Sequence, residues 1–80
     1  MSGQGGNFGY HKIPRCKTLR VGAKRTMNAL ARLADVDRSV ISKIERNHCV
    51  TEVSAMKIFG ALNELHGGTL EPLKEILEVR

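Results

Sequence analysis

Eighty residues with 41% hydrophobic side chains and aromatics confined to Phe8, Tyr10 and Phe59 make one domain around an aliphatic core, for which an all-helical packing is the economical solution. No stretch is apolar for long enough to span a bilayer, and the Gly-rich, polar start lacks the apolar segment of a signal peptide, so a cytoplasmic location is expected. The formal charge of +5 is uneven: residues 1–46 hold ten Lys/Arg against three acids, whereas 47–80 hold three against five. That asymmetry points to a polyanion-facing surface and a separate face for something else, the plainer alternative being ordinary solubilising charge.

Residues 1–13 carry four glycines (3, 5, 6 and 9) and are expected to form a flexible Gly-rich arm ahead of a domain over 14–80. With Lys12, Arg15 and Lys17 following Tyr10 and His11, the segment reads either as a basic arm laid along a duplex or as a plain mobile terminus. Pro14 suits the first turn of a helix through RCKTLRVGAK, with Cys16, Leu19 and Ala23 on one face and Gly22 weakening it.

Thr26 is a natural N-cap for a helix from Met27 to Ala34, where Leu30, Ala31, Leu33 and Ala34 recur at helical spacing. Asp35-Val36-Asp37 then reads as a turn, with Asp37 capping a helix from Arg38 to Arg46. Ile41 and Ile44 face inward with Val36, which leaves Arg38, Ser39, Ser42, Lys43 and Arg46 outside. Helix, tight turn and helix over 27–46 thus expose one cationic helical face.

Thr51 and Glu52 open a fourth helix through Asn63 with Val53, Met56, Ile58 or Phe59, and Leu62 as its buried stripe. After Gly67-Gly68, Thr69 caps an expected last helix over 69–79, whose stripe Leu70, Leu73, Ile76 and Leu77 serves either as a dimer contact or as part of the domain's own core. Cys16 and Cys49 follow no redox or zinc spacing, and no metal, cofactor or catalytic constellation is read from the sequence.

From Met27 to Arg46 the sequence resembles the helix-turn-helix of the lambda-repressor-like (Cro/C1-type, XRE) regulators. The resemblance rests on Ala31 five places in, Val36 after the turn, Ile41 and Ile44 near the end, the ending ISKIERN and the later MKIFGALN, and it extends from Leu19 into the last helix. It implies a compact five-helix, all-α DNA-binding domain with a flexible N-terminal arm. It also implies a structural ion pair between Arg20 and Glu45. Three positions depart from the family pattern: the usual turn glycine is Asp35, the glutamine that opens the motif's first helix and touches a phosphate is Met27, and the glycine after I-E-x is Asn47.

The implied mechanism is major-groove insertion of helix 38–46. Arg38, Ser39, Val40 and Lys43 are the expected base readers, and Asn28, Ser42, Arg46 and Asn47 the expected phosphate contacts. The implied partner is double-stranded DNA, bound by a homodimer acting as a repressor on a two-fold symmetric operator and associated with the nucleoid when bound. Two rival readings stay open: an antitoxin that binds a toxin and represses its own promoter, and an adaptor that keeps the fold without binding DNA. An enzyme is not expected, since the sequence has no phosphate loop, paired carboxylates or nucleophile beside a base.

Overall fold

The computed structural model describes residues 11–79, in the order β1 (His11–Lys12), α1 (Cys16–Gly22), α2 (Met27–Ala34), α3 (Arg38–Glu45), α4 (Glu52–Leu65), α5 (Pro72–Glu75) and β2 (Leu77–Glu78). Three helices start on side-chain caps: Thr26 Oγ1 accepts from Ala29 N at 3.0 Å, Asp37 Oδ2 from Ser39 N at 3.2 Å and Thr51 Oγ1 from Ser54 N at 3.1 Å. Each cap satisfies an amide that the helix itself cannot, and so fixes where the helix begins.

α1 to α4 all end on the same pair of backbone bonds, one amide reaching back five residues and the amide before it reaching back three. The pairs are Arg25 to Arg20 and Lys24 to Val21, Val36 to Ala31 and Asp35 to Arg32, His48 to Lys43 and Asn47 to Ile44, and Gly68 to Asn63 and Gly67 to Glu64. The pattern requires one left-handed residue at each end, supplied by Lys24 (φ 59°), Asp35 (φ 58°), Asn47 (φ 65°) and Gly67 (φ 72°). Asp and Asn tolerate this conformation through their short polar side chains, whereas Lys24 has no such help.

α4 packs against α2, α1 and β1 and carries the centre of the core with Ala55, Ile58, Phe59, Ala61 and Leu62. Leu30, Ala31 and Ala34 of α2, Ile41 and Ile44 of α3, Cys16 and Leu19 of α1, and Ile13 and Val50 complete it. The alanines on α2 and α4 let the helices approach closely, and this rotates the buried face of α4 away from the expected stripe. Val53 and Met56 therefore face solvent at 63% and 50% exposure.

Both chain ends differ from expectation. His11 and Lys12 do not belong to a free arm: β1 pairs antiparallel with β2 in the register His11 to Glu78 and Lys12 to Leu77. His11 also exchanges both backbone bonds with Val50 (3.1 and 2.9 Å), and Ile13 is fully buried. Paired backbone is thus already present ahead of the expected boundary at residue 14. α1 begins at Cys16 because Pro14 and Arg15 form a turn in which Cys16 N bonds Ile13 O at 3.0 Å.

The expected helix over 69–79 is a single turn. Glu71 occupies its N-cap position, Pro72 its first turn, and Ile76 is already extended (φ −99°, ψ 122°). Thr69 Oγ1 donates to His66 O at 2.9 Å instead of capping a helix. One turn of helix is marginal without tertiary support, and the chain gains more by pairing Leu77–Glu78 with β1 while Ile76 packs on the core. The stripe is split accordingly: Leu70 and Ile76 pack inward, while Leu73 (97% exposed) and Leu77 (52%) face outward. No helix among the described residues is long and apolar enough to cross a membrane.

Candidate nucleic-acid interface

α2 and α3 are joined by Asp35-Val36-Asp37. Val36 packs inward, and Lys57 of α4 donates to Asp35 O at 3.5 Å while lying 3.8 Å from its carboxylate. Ile41 and Ile44 anchor α3, so the opposite side of the helix faces solvent and carries Arg38, Ser39, Lys43 and Arg46. This face is cationic because the buried positions of α3 are the aliphatic Ile41 and Ile44, while its exposed positions are Arg38, Ser39 and Lys43.

Arg38 is exposed at the first position of α3, and its Nη2 lies 4.0 Å from Sδ of Met27 at the first position of α2. Ser39 is drawn into the cap: its Oγ donates to Asp37 Oδ2 at 2.5 Å, leaving its lone pairs free to accept. The two bonds from Ser39 hold the Asp37 carboxyl below the usual carboxylate range. Val40 is half-buried against the core and lines a crevice with Lys43, Cys49, Val50 and Thr51. Ser42 is half-buried, and Arg46 and Asn47 are exposed at the end of α3.

Asn28 is exposed one residue into α2 and lines an open groove between α2 and α3 with Arg32 and Arg38. Arg32 is a cation that sequence reasoning did not place. Its spacing of four from Asn28 puts it on the same helical face, a signal that was present in the sequence.

The basic residues ahead of α2 divide. Tyr10 lies outside the described residues. Lys17 is exposed on α1, but Arg15 folds onto the C-terminal segment, its Nε donating to Glu75 Oε1 at 3.0 Å and its Nη2 to Oε2 at 2.7 Å. Those bonds hold the Glu75 carboxyl below its ordinary range and bind the start of α1 to α5.

Behind the exposed face, Arg20 of α1 clamps α3 and the segment leading into α2. Its Nε donates to Glu45 Oε2 at 2.6 Å, its Nη2 to Oε1 at 3.0 Å and its Nη1 to Arg25 O at 2.8 Å. The guanidinium and carboxylate are 12% and 5% exposed, so the pair is largely withdrawn from water. Cys16 Sγ donates to Glu45 Oε2 at 3.8 Å, and burial followed by the Glu45 charge pushes its thiol up to about 12. Cys16 is thus a packing residue without thiolate character.

A family model described as helix-turn-helix matches residues 17–71. No curated protein and no solved structure matches the chain.

Proposed function

The chain belongs to the helix-turn-helix family of lambda-repressor-like, DNA-binding transcriptional regulators, and from that membership we propose that it represses transcription by reading a two-fold symmetric operator as a dimer. α3 enters the major groove, which admits an α-helix and displays a distinct donor and acceptor pattern for each base pair. Arg38 forks onto guanine O6 and N7, Lys43 reaches a second base or a phosphate, and Ser39 accepts from a base edge. Val40, with only part of its side chain outside, contributes a thymine-methyl contact at most. Arg46, Asn47, Ser42 and Asn28 grip phosphates, with Arg32 added to that set. The protein acts in the cytoplasm, on the nucleoid.

The observation that carries this reading is the free cationic face of α3, with Arg38, Lys43 and Arg46 exposed opposite the buried Ile41 and Ile44. Dimer contact is assigned to the exposed pair Leu73 and Leu77, since Leu70 and Ile76 are spent on the protein's own core. Selection on random duplex DNA, followed by affinity measurement across salt concentrations, tests the whole. The expected result is a palindromic consensus whose affinity falls steeply with salt. A flat salt response overturns the phosphate-based grip.

A further inference from the structure

Met27 is the first residue of α2 and Arg38 the first of α3, and the exposed contact between Met27 Sδ and Arg38 Nη2 is 4.0 Å long. A neutral thioether is a weak acceptor, so at this distance it guides the guanidinium without holding it. A mild oxidant converts that same sulfur into a strong acceptor beside Arg38. Met27 is half-buried, with its side chain partly packed on the core, and so has a surface open to solvent.

We propose that Met27 is an oxidation site that switches base reading by Arg38, an inference that rests on Arg38 being a base reader. Hydrogen peroxide transfers one oxygen atom to Sδ: the S–O bond forms, the O–O bond breaks, the sulfur loses two electrons, and the peroxide is reduced to water. The sulfoxide oxygen, added on the Arg38 side, closes the gap to ordinary hydrogen-bond length and accepts from the guanidinium in a charge-assisted bond. Arg38 is then retained across the start of α2 and withdrawn from guanine. Lys43, Arg46 and Asn28 are untouched, so sequence-independent binding persists while discrimination falls. Reduction of the sulfoxide by a methionine sulfoxide reductase restores reading.

The full chain carrying Cys49→Ser, which removes the more accessible thiol, is treated with hydrogen peroxide, and oxygen uptake is mapped on the tryptic peptide 26–32. Affinity is then measured for the selected operator and for random duplex, alongside Met27→Leu and Arg38→Ala in the same background. Oxidation is expected to weaken operator binding roughly tenfold or more, the scale of one lost bidentate base contact, with random-duplex binding unchanged, full recovery after reductase treatment and no effect in Met27→Leu. Undiminished operator binding by protein oxidised at Met27 overturns the proposal, as does an equal loss in Met27→Leu. Parallel loss of random-duplex binding overturns it too, being the signature of unfolding. Arg38→Ala separates the two levels. If it leaves the selected consensus unchanged, the base-reading role of Arg38 fails. If it relaxes one position while oxidation does nothing, the Met27 switch alone fails.

Discussion

Arg20 and Glu45 form a two-bond, nearly buried ion pair across α1 and α3, and the same guanidinium holds the carbonyl of Arg25 just ahead of α2. The end of the candidate recognition helix is therefore fixed to α1 and, through the same guanidinium, to the segment leading into α2. Removing one partner leaves an uncompensated buried charge. Arg20→Ala or Glu45→Ala is expected to cost about 3–5 kcal/mol, measured by urea denaturation, whereas Arg20→Met combined with Glu45→Leu costs much less than the sum of the single changes.

Arg38 and Arg46 occupy opposite ends of α3 and are expected to fail differently. Arg38→Ala relaxes the selected consensus at one base position. Arg46→Ala weakens all sequences alike and lowers the salt slope by about one. Binding selection and salt titration on both variants separate the two roles, and an unchanged consensus for Arg38→Ala overturns its assignment.

Leu73 projects almost wholly into solvent, so Leu73→Glu is expected to leave the fold of each copy intact. If Leu73 and Leu77 form the dimer contact, the variant sediments as a folded monomer at concentrations where the wild type is dimeric. A folded dimer of Leu73→Glu removes that surface from consideration.

Lys24 holds a left-handed conformation that glycine adopts freely, which makes Lys24→Gly a stabilising change of about 1 kcal/mol. Gly22 offers an independent gain. It lies inside α1 with an ordinary φ, and a Cβ there meets only His66 Cε1, at 3.9 Å. Gly22→Ala is expected to add about 0.5–1 kcal/mol. Thermal melts of the two single variants and the double variant check both values and their additivity.

Glu75 and Asp37 both have carboxyls held below their ordinary values, Glu75 by Arg15 and Asp37 by Ser39. For such groups the unfolded chain binds protons more readily. Their stabilisation is therefore present above the ordinary carboxylate range and is lost as pH falls through the folded values. Glu75→Gln is expected to flatten the acid limb of the stability curve between those limits and to leave its slope near neutrality unchanged. Chemical denaturation across acidic pH makes the comparison.

What the sequence made legible was what local chemistry decides. Thr26, Asp37 and Thr51 cap within their own first turns, and Asp35-Val36-Asp37 turns because Asp35 accepts a left-handed conformation. Those features need no knowledge of distant residues. The C-terminal segment does need it: Leu70, Leu73, Ile76 and Leu77 have helical spacing, but the competing partner, β1, lies at the other end of the described chain. The burial of Glu75 beneath Arg15 is hidden for the same reason. Val53 and Met56 misled differently, since larger apolar residues at helical spacing outweighed Ala55 and Ala61, and it is the small residues that face the close helix contact. Within the candidate site, the α3 face was legible from its periodicity, and Arg32 was overlooked although its spacing from Asn28 exposed it.

The ribbon that joins β1, Val50 and β2 closes a loop spanning nearly the whole described chain. Its closure spans the most residues in the described chain and returns few backbone bonds, so it is expected to be the first contact released in a partial opening. Such an opening is expected to free Ile13, Ile76 and the Arg15–Glu75 pair while Arg20 still ties α1 to α3. The helix-turn-helix is then expected to outlast the ribbon that ties the two ends of the described chain together.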